Sequence, residues 1–230
     1  MTIEFSGFPP TLLDFLVELE RNNERDWFNA NKRRYEQDLV MPSLAFIAAM
    51  AVQLEEIAPC FRATPLRSGG SLMRIYRDTR FSRDKRPYKT NVGIQFRHEQ
   101  GGDVHAPGYY FHIDSREVFV GAGAWRPAMP ALTAIRDHID EHPQAWIAAR
   151  DEPAFAERFA LSGESLMRPP KGYGGNHPMI EDLKRKSFIA VSYLDHAELT
   201  DRALVDRVSE AFRAAGPFMK FLCNALDVPF

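Results

Sequence analysis

The hydrophobic positions of this chain change period twice. From Pro9-Pro10 onward, Leu12, Leu13, Phe15, Leu16 and Leu19 recur at helical spacing, and the prolines suit a helix start. Asn22-Asn23 punctuates the pattern. A second helix is expected from Glu24 to Leu39, with Trp27, Phe28, Asn31, Tyr35 and Leu39 near one stripe. Pro42 lacks an amide N–H and cannot continue that helix undisturbed, but it fits the first turn of another. The third helix then runs from Pro42 to Ile57 through Leu44, Ile47, Ala48, Ala51 and Leu54.

After Pro59 the period falls to two. Ser68-Gly69-Gly70 is a turn, and Leu72 to Arg77 reads as a strand. From Asn91 to Arg97, Val92, Ile94 and Phe96 point one way, and Gly93 and Gln95 the other. A Gly-Gly turn follows at Gln100 to Asp103. Gly108 to Asp114 and Glu117 to Gly121, joined by Ser115-Arg116, predict a hairpin. Helical spacing returns at Pro127 to Glu141, then in shorter pieces at Pro143 to Ala149 and Glu152 to Phe159. Leu161 to His177 reads as a Gly/Pro-rich loop and Ser187 to Tyr193 as a last strand. Thr200 is expected to cap a long C-terminal helix kinked at Gly216-Pro217.

Strands here follow strands instead of alternating with helices. The predicted fold class is therefore α+β: one domain over residues 1–230, with a mostly antiparallel central sheet. N-terminal helices and a long C-terminal helix are expected to pack on that sheet.

Composition supports a packed core, since 45% of the 230 residues are hydrophobic. A net charge of −2 argues against nucleic-acid or membrane binding through bulk charge. Cys60 and Cys223 lack metal-ligand spacing and read as buried free thiols. The first residues lack a basic-then-apolar leader, and the stretch from Leu44 to Leu54 is too short to span a bilayer. A cytoplasmic location without membrane association is the resulting expectation.

Charge is distributed unevenly. Between Arg67 and Lys89 stand eight basic residues (Arg67, Arg74, Arg77, Arg80, Arg83, Lys85, Arg86 and Lys89) and two acids, Asp78 and Asp84. This segment carries +6, which leaves −8 for the rest of the chain. Guanidinium groups match carboxylate and phosphate oxygens in pairs, and so dense a set of like charges needs something negative nearby. That is either a ligand or local carboxylates, and Asp78 and Asp84 are ready partners. Regular alternation would put Arg74 and Tyr76 on one side of the strand and Arg77 on the other.

Other polar residues add candidates. His112 shares a strand face with Tyr110 and Asp114, where it can position a phosphate or move a proton. His98, His105, His138, His142, His177 and His196 show no ligand spacing, so no metal site is expected. Pro169 to Pro178 is glycine-rich and can bring backbone N–H groups near an anion. It lacks the Walker ending, and no strand leads into it. No Gly-x-Ser-x-Gly elbow occurs, and no cofactor is assigned.

Several runs together resemble a known family. They are Phe5-Ser6-Gly7-Phe8-Pro9, Leu19-Glu20-Arg21-Asn22-Asn23, Asp26-Trp27-Phe28, Arg74 to Ser82, and Asp84 to Asn91. Tyr109 to Ile113, Gly121 to Trp125 and Pro170-Lys171-Gly172-Tyr173 fit the same pattern. The chain is similar over nearly its whole length to domain of unknown function family 2461. The resemblance implies a single domain found mainly in bacteria, and it carries neither an activity nor catalytic residues.

The residues themselves point to a small phosphorylated or carboxylated ligand. The expected binding residues are Arg74, Arg77, Arg80, Lys85, Tyr88 and Lys89, with His112 nearby. Two alternatives stand beside it. One is nucleic-acid association, less favoured, through a basic face carrying Tyr76, Phe81 and Tyr88. The other is phosphate-ester hydrolysis by His112 with Asp78 or Asp114.

Overall fold

The computed structural model describes residues 4–101 and 106–230. The turn expected after Gln100 extends outside those residues, as does His105. Helix α1 (Thr11–Arg21) buries Leu12, Phe15, Leu16 and Leu19, as their spacing requires. After α2 (Arg25–Ala30), the chain enters one long helix, α3 (Lys32–Ile57). Its turns from Tyr35 to Val40 are π-helical, and normal α-helix resumes at Met41. The expected break at Pro42 is thus absorbed within the helix. A proline ring clashes with the carbonyl four residues back, and a widened turn directly before Pro42 relieves that conflict. By length and composition α3 is apolar enough to cross a membrane, yet Phe46, Ile47, Met50 and Leu54 are buried in this core.

Six strands form one antiparallel sheet in the order β1-β2-β3-β4-β6-β5. They are β1 (Phe61–Arg62), β2 (Val92–His98), β3 (Gly108–Ile113), β4 (Val118–Ala124), β5 (Ala160–Ser162) and β6 (Phe188–Leu194). The predicted hairpin is β3–β4, paired from Gly108 with Gly123 to Ile113 with Val118. The short β1 and β5 were not legible, because two or three residues carry no periodicity. β5 begins at Ala160, one residue before the stretch from Leu161 to His177 expected to be a Gly/Pro-rich loop, and runs into it.

The expected strand Leu72 to Arg77 is not a regular strand. It makes two isolated bridges, Leu72 with Ile94 and Tyr76 with Tyr88. Met73 N–H still donates to the Gly93 carbonyl on β2. Two residues later, the Ile75 carbonyl instead accepts from Lys89 N–H. The segment therefore leaves the sheet edge after Met73 and pairs with its own return, Pro87 to Lys89.

The remaining helices are α4 (Met129–Glu141), α5 (Pro143–Arg150), α6 (Pro153–Arg158), α7 (Ile180–Leu183), α8 (Leu204–Ala214) and α9 (Gly216–Ala225). Thr200 closes a 3-10 turn, His196–Thr200, and does not cap α8. Asp201 stands at that start instead, and its carboxylate accepts from Ala203 N–H at 2.9 Å. α8 and α9 meet at Ala215, beside the predicted Gly216-Pro217 break.

The helices cover one face of the sheet. Ile94, Phe96, Tyr109, Phe111, Ile113, Val120, Phe188 and Ala190 are buried on that face. Phe111 meets Phe46 at 5.0 Å between ring centres, and Tyr109 meets Phe212 at 4.4 Å. Alternation sends Gly93, Gln95, Tyr110, His112, Phe119, Gly121, Gly123, Ile189, Val191 and Tyr193 to the other face.

Candidate functional site

That second face carries a cavity of about 450 Å³, within the range of small-molecule sites. Gln95, Tyr110, Phe119, Gly121, Gly123, Trp125, Val191, Tyr193 and Met73 line it, with Glu117 at one end. The floor is low because its central positions are glycine. At Gly123 the backbone has φ +123, and a Cβ would come within 2.0 Å of the Phe188 carbonyl oxygen. At Gly121 a Cβ would make only ordinary contacts, so a larger residue there would rise into the cavity. Gly93 gives way to the Tyr110 hydroxyl and Met73 sulfur, 2.8 and 3.0 Å from where its Cβ would stand. This closeness ties the edge segment to the open face.

A polar line crosses the same face. Tyr110 Oη lies 3.0 Å from His112 Nδ1, and His112 Nε2 lies 3.2 Å from Asp114 Oδ2. The His112 ring stacks on Phe119 at 4.6 Å. Burial, then the Asp114 charge, raises the Tyr110 phenol to about 12. Burial raises the Asp114 pKa, but backbone N–H donors from Arg116 and Glu117, with His112, outweigh it and hold the group below its ordinary value. Glu117 completes a trio: one ligand atom each from His112, Asp114 and Glu117 lies within 4.8 Å of the others. A nitrogen and two carboxylate oxygens suit a divalent cation. Glu117 escaped the sequence reading, because only the turn between β3 and β4 brings it back beside Asp114. The Asp114 N–H donates to the Glu117 carbonyl at 3.0 Å.

The predicted basic residues divide into two groups. Arg77 Nη1 donates to Asp84 Oδ2 at 2.7 Å, and Arg86 grips the same carboxylate. Arg80 holds Asp78 through Nε at 3.0 Å and Nη2 at 2.7 Å. Lys85 Nζ donates to the Thr79 carbonyl at 2.9 Å. Arg67 pairs with Glu36 on α3. These contacts hold Asp78 down at about 2 and depress Asp84 further. Tyr88 is a core residue: 4% exposed, stacked on Phe28 at 4.2 Å, with its backbone held by Asn23.

Arg74 and Lys89 form the second group. Neither side chain has a hydrogen-bond or ion-pair partner among the described residues. Lys89 is half-buried; burial first, then the charge of Arg74, lowers its pKa. Arg74 follows Met73, which lines the cavity, and Lys89 stands three residues before Val92, where β2 begins. Arg83 is exposed in the tip, where Phe81 is 95% exposed. Cys60 and Cys223 are free thiols, the first half-buried and the second buried.

A six-stranded antiparallel sheet with helices on one face and a cavity on the other defines an α+β protein with an open sheet surface. The chain belongs to the DUF2461 family, described as a conserved hypothetical protein, whose model matches residues 11–221. No curated protein and no solved structure matches it.

Proposed function

We propose that this protein binds a small anionic ligand at the edge of the open sheet face, with Arg74 and Lys89 as its charge contacts. One observation carries this reading: Arg67, Arg77, Arg80 and Arg86 each hold a protein carboxylate and Lys85 a carbonyl, Arg83 is exposed at the loop tip, and the Arg74 and Lys89 side chains, next to the sheet edge, have no hydrogen-bond or ion-pair partner among the described residues. Lys89 is half-buried and feels the repulsion of Arg74, an arrangement that an anion between them relieves. The apolar cavity beside them suits the body of the ligand, and Tyr110 and Gln95 supply polar contacts. Arg77, Arg80 and Lys85 then shape the loop and do not touch the ligand.

Calorimetric titration with inorganic phosphate tests this. Arg74→Ala or Lys89→Ala is expected to weaken binding roughly tenfold, the size of a lost charge-assisted hydrogen bond. Arg80→Ala is expected to leave it unchanged. Equal losses in all three variants, or no binding by the native protein, would refute the reading.

A second reading rests on the trio His112, Asp114 and Glu117. A divalent cation there would make the open face a site for phosphate-ester hydrolysis, with the metal activating water. A phosphomonoesterase and phosphodiesterase screen with and without Mn²⁺ tests it. Turnover that needs the metal and falls in Glu117→Gln supports it; no turnover in any condition leaves binding alone.

A further inference from the structure

A second pocket, sharing no residue with the open face, lies between α4 and the glycine-rich stretch. Its volume is about 500 Å³, and Met129, Thr133, Arg136, Asp137, Lys171 and Tyr173 are among its lining residues. Arg136 is anomalous there. It sits on the buried stripe of α4 beside Leu132, Ile135 and Ile139, and it is 5% exposed. Buried arginines are ordinarily paired with carboxylates. This one donates through Nη2 to the Arg185 carbonyl at 2.9 Å, a neutral acceptor. Its Nε is buried without any partner, and no carboxylate pairs with it among the described residues.

The carboxylates around it are committed elsewhere. Asp137 accepts from the Tyr173 hydroxyl at 2.6 Å, and Asp140 pairs with His177 at 2.8 Å. Asp182 is taken by Trp146, Arg150 and Arg185. The Tyr173–Asp137 bond also fastens the glycine-rich stretch over the pocket. Gly172 beside it adopts φ +102, with open space where a Cβ would stand. Burial lowers the Arg136 pKa, the direction expected of a cation without its counter-ion.

We infer that this pocket binds a small organic carboxylate, with Arg136 at its floor and Lys171 at its rim as the anion contacts. A monoanionic head group is favoured over a phosphate dianion. The lining is electrically neutral, with Arg136 and Lys171 against Asp137 and Asp140, so a dianion meets twice the repulsion from the two carboxylates that a monoanion does. The site is independent of Arg74 and Lys89.

The test is an NMR titration of the full chain with succinate monomethyl ester, with inorganic phosphate as comparison, following the Arg136 Nε–H signal. Saturable movement with the ester is expected, and Lys171→Ala is expected to weaken it roughly threefold, as for a rim charge. Arg136→Gln should weaken it roughly tenfold or more, read from the neighbouring amides, as when one partner of a buried charge pair is lost. Should Arg136→Gln fail to fold, the exposed Lys171→Ala variant still decides the matter. Arg74→Ala should leave this titration unchanged while weakening binding at the sheet edge roughly tenfold, which separates the two proposals. Absence of saturable movement, or movement identical in Lys171→Ala, would overturn the inference. Tighter binding of phosphate than of the ester would overturn the ligand class.

Discussion

The two faces of the central sheet use the same strands for opposite ends. On the helix-covered side, Ile94, Phe96, Phe111, Ile113 and Val120 fill the central positions with apolar volume. On the other side the same strands present Gly93, Gln95, Tyr110, His112, Gly121 and Gly123, leaving space with polar groups at its edge. A sheet needs one face buried to be stable. Once the helices do that, the second face is free to hold residues chosen for shape and chemistry. The Arg67–Lys89 segment shows the same division at smaller scale. Arg77, Arg80 and Arg86 are spent on holding a loop together, whereas Arg74 and Lys89 are not.

The comparison can be broken most directly at adjacent strands. Phe111→Ala on the covered face is expected to cost about 3–5 kcal/mol of stability, from lost transfer energy plus an unfilled cavity. Phe119→Ala, on the open face of β4, is expected to cost about 1 kcal/mol, because its ring is already partly in contact with solvent. Urea denaturation of both variants gives the two values, and equal losses would mean that the faces are not different in kind.

A smaller effect sharpens the role of the glycine floor. Gly121→Val is expected to keep stability within about 1 kcal/mol, since a Cβ there meets only ordinary contacts. It should nevertheless fill part of the cavity. Fluorescence titration with an anilinonaphthalene sulfonate, which joins an apolar body to an anion, should show binding weakened severalfold. Unchanged binding would place the probe elsewhere.

The smallest effect concerns acid. Asp78 and Asp84 have folded pKa values depressed by Arg80 and by Arg86 with Arg77. A depressed carboxylate contributes stability that is present above its unfolded pKa and is lost as pH falls through the folded value. The tip is therefore expected to loosen between about pH 4 and pH 2 while the sheet persists. Asp78 is exposed and Asp84 only partly covered, so the global melting temperature should barely move. Amide chemical shifts of residues 78–86, followed against those of β3, check this; simultaneous loss of both would contradict it.

Much of the architecture was legible because it rests on period. Leu12, Phe15, Leu16 and Leu19 had to share a helix face, and Tyr109, Phe111 and Ile113 had to share a strand face. His112 therefore had to lie opposite them with Tyr110. Irregular pairing was not legible: Leu72 to Arg77 alternates like a strand but changes partner after Met73. Nor was Arg136, since a cation within an apolar helical stripe reads as an interruption until its surroundings are known.

By itself, then, the sequence determined the α+β class, the order of the main elements, the +6 island and the face on which His112 stands. Local propensity, hydrophobic period and charge density are properties of neighbours along the chain, so they survive without coordinates. Only the tertiary structure decided that Arg67 is neutralised by Glu36 on α3, that Glu117 returns to His112 and Asp114, and that Arg136 is buried without a carboxylate among the described residues. Ion pairing and burial depend on distances across the fold, and residues far apart in sequence set those distances.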